Sequence, residues 1–146
     1  MKFRSIIIIF LMLMSVSALP SVHSENENGE RDPPTIKIGF LNDATGPISV
    51  YAAPFAAAAE IALTEINSNQ NYYVFEIVYA DSACDGTTAA TAAQALVDAG
   101  VVGVVGAACS GASMGANSVL SAAGIPHISY ASSSPALSDD TAYPDF

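Results

Sequence analysis

The chain is almost without positive charge. Its 146 residues carry four Lys and Arg against 14 Asp and Glu, a formal net charge of −10. A surface of that sign repels phosphate backbones, which argues against nucleic acid as a partner, and it is a poor match for anionic lipid. Histidine is limited to His23 and His127, so no His cluster completes a metal site with the cysteines. Cysteine is limited to Cys84 and Cys109, with no C-x-x-C redox pair. The segment Asn42-Asp43-Ala44-Thr45-Gly46-Pro47 lacks the G-x-G-x-x-G of dinucleotide sites, and a Walker A lysine is absent too, which argues against phosphate ligands. No cofactor and no metal are expected.

The N-terminal apolar run, Ile6–Met14, is too short to span a bilayer comfortably. It follows Lys2 and Arg4 and precedes the small residues Val16, Ala18, Val22 and Ser24. That order predicts a signal peptide over residues 1–24, cleaved after Ser24. An uncleaved membrane anchor is the alternative. Residues 25–34, with Glu25–Asp32 (ENENGERD) and Pro33-Pro34, form an acidic linker. No cysteine lies near the cleavage site, so no lipid anchor is expected. Export implies a periplasmic or extracellular location, where two cysteines usually form a disulfide. Closing Cys84 to Cys109 would stabilise the fold by about 3.5 kcal/mol in the chain-entropy model.

Downstream, apolar runs alternate with Ala-rich helical patterns. Strands are expected at Thr35–Leu41, Tyr72–Ala80, Val101–Gly106 and Ile125–Tyr130. Helices are expected at Tyr51–Asn67, with Phe55, Ala59, Ala62 and Ile66 on one face packed closely on a sheet, at Thr87–Ala99, with Ala90, Ala93, Leu96 and Val97 inward, and at Ala112–Ala123. The strands lack clean polar alternation, which suits a sheet covered on both faces. The expected fold is α/β: a Rossmann-like parallel sheet with helices on both faces, spanning residues 35–146. No helix or return strand follows Asp139–Phe146, so the sequence reads as part of a longer protein.

Two strands end in small polar residues. Val101–Gly106 empties into Ala107–Gly111 (AACSG), and the run opening at Ile125 breaks into Ala131, Ser132, Ser133 and Ser134. In open α/β sheets ligands bind at the strands' carboxyl ends. Ser110 and the N-terminus of the helix after it suit a carboxylate. The Ser133 hydroxyl and the Ala131 carbonyl suit an ammonium group. Together they read as a site for an α-amino acid zwitterion, although each serine alone also fits a helix N-cap. Catalysis is poorly supplied. Ser110 lacks the G-x-S-x-G elbow, and His127 falls within a strand. Asp81 and Asp85 read as caps or solvated charges, and Ser138–Asp140 as the start of a fourth helix.

From Thr35 to Phe146 the chain resembles the type I periplasmic binding proteins, the Venus-flytrap fold. That family includes the leucine/isoleucine/valine-binding proteins of ABC transporters and the ligand-binding regions of metabotropic glutamate and related receptors. The matching pieces are IKIGFL with Thr45-Gly46-Pro47, DSACDG around Cys84, VVGVVGAACSG, and GIPHISYASSSPALSD at Gly124–Asp139. The resemblance implies the N-terminal part of lobe I, with Ser110 on the ligand carboxylate and Ala131 giving backbone contacts. It also implies that the Ser133 hydroxyl holds the head group and that Tyr51 packs over the ligand side chain. Cys84 and Cys109 stand where the branched-chain amino acid binders carry a disulfide. Ser132-Ser133-Ser134 is more uniformly serine than the family pattern, and the second lobe is not in this sequence. The implied function is capture of an amino acid or amide-like solute for the membrane subunits of an ABC importer, without catalysis. A receptor or sensor ectodomain is the alternative, and a serine hydrolase a distant third.

Overall fold

β-Branched and aromatic runs pair as four parallel strands in the order β2-β1-β3-β4. The computed structural model describes residues 32–143 and 146, so the expected signal peptide and most of the acidic linker lie outside it. The strands are β1 (Thr35–Asn42), β2 (Val74–Asp81), β3 (Gly103–Gly106) and β4 (His127–Ile128). β1 is central: it pairs with β2 from Thr35↔Val74 to Asn42↔Asp81 and with β3 from Ile38↔Gly103 to Leu41↔Gly106. Three helices make the crossovers: α1 (Ala52–Ser68), α2 (Gly86–Asp98) and α3 (Ser110–Ala122). A 3-10 turn at Ser49–Tyr51 leads into α1, and another, Pro135–Ser138, follows β4. This is the α/β fold expected from the sequence.

The core lies between the sheet and the α2–α3 pair. It is built from Leu41 and Val104 of the sheet, Ala89, Ala93 and Leu96 of α2, and Ala112, Ala116 and Leu120 of α3. Small residues let the two helices approach closely: a Cβ on Gly115 would run into the Gly86 carbonyl. Both helices stop by the same device. Gly100 and Gly124 take positive φ, at 77° and 67°. Gly100 N–H then bonds Val97 O and Val101 N–H bonds Leu96 O; Gly124 and Ile125 repeat the pattern on Ser121 and Leu120. These paired bonds satisfy the helix-end carbonyls and turn the chain directly into β3 and β4. Ala93 and Leu96 of α2 are buried as expected, and Ala89, one position before the expected Ala90, is buried with them.

α1 departs from expectation. Its expected inner face of Phe55, Ala59, Ala62 and Ile66 does face the sheet, but no residue of the helix is buried. A cavity of about 390 Å³ separates it from Ile38, Phe40, Ile77 and Val105. Alanine side chains are too short to fill that gap. Side-chain bonds hold the helix instead: Asn42 Nδ2 donates to Ala52 O (3.1 Å), Tyr79 OH of β2 donates to Glu60 Oε1 (2.6 Å), and Asn67 exchanges two 2.9 Å bonds with the Phe75 backbone. β4 is shorter than the expected Ile125–Tyr130. Pro126 has no N–H to donate and only accepts from Val104 N–H (3.0 Å), and beyond Ile128 the loop's bonds run through the Ser129 side chain.

Candidate functional site

Parallel pairing brings the carboxyl ends of β1, β2, β3 and β4 to one edge, and polar side chains stitch the loops that leave them. Ser129 follows β4. Its hydroxyl donates to Ala107 O (2.6 Å) and accepts from Ala131 N–H (3.1 Å) and Ser132 N–H (2.8 Å). This hydroxyl-closed turn is the common behaviour of serine two and three residues before the amides it binds. Ser132 turns inward, sharing a 2.9 Å bond with the buried Ser113 hydroxyl and reaching Ala107 O and Ala108 O at 3.3 Å. Ala131 and Ser133, on either side of it, are exposed. The alternation separates the serines the sequence leaves indistinct: Ser132 is committed to the fold, and Ser133 faces out.

Ser110 opens α3 as its first helical residue, not as its cap. Its hydroxyl oxygen accepts from both Ser133 N–H and Ser134 N–H at 3.1 Å. The tips of β3 and β4 are thereby joined through one atom. A serine hydroxyl has two acceptor sites and one proton. With both acceptor sites filled, what the hydroxyl still has to offer is its proton, close in sequence to the N–H groups of the first turn of α3. That arrangement favours an anionic group.

An aromatic row runs alongside. Tyr51 stacks on Phe55 at 6.0 Å, Phe55 meets Tyr130 at 4.9 Å, and Tyr130 stacks on Phe40 at 5.4 Å. Tyr51 is 55% exposed. It therefore joins the β4 loop through Phe55 and Tyr130, and no hydrogen bond ties it to Ser110. The structure bonds Ser110 to Ser133, ties the Ala131 N–H to Ser129 instead, and leaves Tyr51 at the far end of the aromatic row.

Asp43, within the expected loop Asn42–Pro47 and not among the expected site residues, is fully buried. Its Oδ1 accepts from Ser82 Oγ (2.5 Å) and Cys84 N–H (3.1 Å), and its Oδ2 from Ala108 N–H (3.3 Å). Tyr130 OH lies 3.4 Å from Oδ2 and 3.3 Å from Leu41 O. Burial, then the Asp43 charge and its hydrogen bond, hold the Tyr130 phenol well above the ordinary range. Nearby, Thr45 donates to Asp81 through its hydroxyl (2.7 Å) and its N–H (3.3 Å). Burial pushes the Asp81 carboxyl up, but the bonds from Thr45, Ala83 and Ala44 outweigh it and leave the group below the usual carboxylate range. Asp85 caps α2 as expected, accepting from Thr88 N–H at 2.8 Å and Thr88 Oγ1 at 2.9 Å. Asp139 starts a single turn with bonds from Thr141 N–H and Ala142 N–H, at the place expected for a fourth helix.

Cys84 and Cys109 are paired, with Cα atoms 5.2 Å apart. Together with Asp43 they offer three ligand atoms within 4.8 Å of one another. The two sulfurs are committed to each other and the carboxylate is ringed by donors, so the group serves as a knot between loops and not as a metal centre. His127 is equally unavailable for acid–base work at Ser110. Its Nε2 bonds Gly106 O, and burial lowers its pKa against the raising effect of that bond.

A parallel sheet whose strand tips gather hydroxyls, amides and a helix N-terminus defines a ligand-binding α/β module. Comparison with known proteins narrows this. Residues 55–146 match the receptor family ligand binding region, and the chain belongs to that family, which includes the type I periplasmic binding proteins. It is 32% identical over 105 residues to the leucine-, isoleucine-, valine-, threonine- and alanine-binding protein of Pseudomonas aeruginosa, covering 70% of this chain and 28% of that one. It superposes with a TM-score of 0.69 on the branched-chain amino acid transporter substrate-binding protein of Streptococcus pneumoniae, solved with isoleucine, at 32% identity over 75% of this chain and 32% of that one. A substrate-binding protein of Desulfitobacterium hafniense, solved with Leu, gives 0.57 at 30% identity, covering 73% of this chain and 31% of that one. The chain thus spans under a third of these relatives and corresponds to part of their domain. Among the described residues no helix is long and apolar enough to cross a membrane.

Proposed function

We propose that the chain forms one wall of an extracytoplasmic amino acid-binding site, of the branched-chain type, that serves an ABC importer. The observation carrying this reading is the Ser110 hydroxyl. It joins the tips of β3 and β4 by accepting two backbone N–H groups and keeps its own proton for a carboxylate. In this reading Ser133 and the Ala131 carbonyl take the ammonium group, and Tyr51 packs on the side chain. The relatives bound to isoleucine and Leu support the ligand class. No bond is made or broken; binding energy closes a two-lobed cleft, and the transporter's membrane subunits read the closed form. Residues 1–24 direct export, residues 25–34 form an acidic linker, and Cys84–Cys109 is oxidised in the periplasm or outside the cell.

The test is an amide NMR titration of the chain with millimolar L-isoleucine. The expected result is a saturable shift at Ser110, Ala131 and Ser133, lost in Ser110→Ala. Absence of any response at these three amides would defeat the reading. The name of the matched family, a receptor ligand-binding region, supports a receptor ectodomain as a second reading of the same site. A hydrolase reading has no support in the geometry, since the Ser110 hydroxyl is bonded to two amides and His127 to Gly106 O.

A further inference from the structure

Asp43 is a charged-type side chain with no exposure, and its partners are Ser82, Cys84, Ala108 and Tyr130, all neutral donors. They come from the loops after β2, β3 and β4, while Asp43 itself directly follows β1. One carboxylate therefore touches the exits of all four strands. Removing such a group from water is costly unless each oxygen is well supplied with hydrogen bonds. The donors in turn need two acceptor oxygens with about four lone-pair sites between them, which a carboxylate has and an amide lacks.

The loops it holds are not at rest on their own. Ala83 and Cys84 adopt positive φ, at 50° and 57°, a conformation unfavourable for residues with a Cβ. The Cys84 amide is held there by Asp43 Oδ1 and by Ser82 Oγ at 3.2 Å. On the other oxygen, Ala108 N–H is fixed two residues before Ser110, and the Ala108 carbonyl accepts from Ser132, next to Ser133.

We propose that Asp43 is the positioning residue of the strand-tip crevice, its carboxylate orienting the Ala108–Ser110 and Ser132–Ser134 segments so that Ser110 can bridge them. It touches no ligand in this assignment and acts through the loops. The relevance to ligand binding rests on the function proposed above; the coupling between Asp43 and the Ser110 bridge is read without any ligand.

The experiment is amide hydrogen exchange on the oxidised full chain, comparing wild type with Asp43→Asn. The variant keeps the shape and replaces one acceptor oxygen with an NH₂ group, which faces a backbone N–H in either orientation, Cys84 on one side and Ala108 on the other. Expected is exchange at Ser133 and Ser134 faster by roughly tenfold beyond any change at Ala93 and Leu96, because a local opening is released while the core holds. Tyr130 ionisation should fall towards the ordinary phenol range in the same variant. Exchange at Ser133 and Ser134 that changes only by the factor seen at Leu96 overturns the proposal, since a purely structural role loosens everything alike. Should Asp43→Asn fail to fold, Tyr130→Phe removes a single donor and keeps the ring; the same local pattern, smaller, is expected, and a uniform change overturns the proposal. L-Isoleucine titration of the same samples separates the two ideas. A silent wild type defeats the proposed ligand and leaves the exchange pattern to decide Asp43.

Discussion

At the scale of single residues, Ser110 carries the clearest consequence. Ser110→Ala leaves two amides without an acceptor. Ser133 is exposed and can turn to water, but Ser134 is half-buried, so the loss is about 1 kcal/mol, measurable as a lower urea midpoint. His127 gives a pH dependence with a definite sign. Its folded pKa is depressed by burial, so the unfolded chain binds the proton more tightly. Stability is full above the ordinary histidine pKa and falls as pH drops through it towards the lower folded value. Urea unfolding at a series of pH values between 7 and 5 should show that slope, and His127→Gln should flatten it. Ser110 and Ser133 were legible in the sequence because a short apolar run ending in small polar residues marks a strand tip. Asp43 was not, because Asn42-Asp43 reads as an ordinary loop entry. Its burial comes from Ser82, Ala108 and Tyr130, which lie 39, 65 and 87 positions away.

At the scale of elements, the α2–α3 contact is the most exacting. Gly115→Ala places a methyl group against the Gly86 carbonyl, backbone that cannot move aside cheaply. The expected loss is about 1–3 kcal/mol in urea unfolding. Gly111→Ala, on the same helix, meets nothing within 4 Å and gains helix propensity, so it should be neutral or stabilising by up to about 1 kcal/mol. Element order and type were readable from β1 to β4, because Ala-rich periodicity and β-branched runs alternate cleanly; the expected fourth helix at Ser138–Asp140 is a single turn. The boundaries were less so. β3 starts at Gly103 and not Val101, because Val101 is spent on the helix stop, bonding Leu96 O. α3 starts at Ser110 and not Ala112, since the signal for its start lies in tertiary bonds to the β4 loop and not in a local cap.

At the scale of the whole molecule, charge and cross-linking set the conditions for stability. A net charge of −10 on a small chain repels itself, so added salt should raise the unfolding midpoint by screening. Reducing Cys84–Cys109, which spans 25 positions, should cost about 3.5 kcal/mol and shift the urea midpoint down accordingly. The parallel layered plan was legible from the alternation of elements. The looseness of α1 was not, because Phe55, Ala59, Ala62 and Ile66 have the spacing of a packed face, and spacing does not report how far that face stands from its sheet.

That stand-off also alters how the folded chain would look in a thermal-shift assay. An uncharged solvatochromic dye should enter beneath the alanine-lined helix and glow before any heating begins. The trace would start bright, and its rise on melting would be shallow for a chain whose other helices remain fully docked.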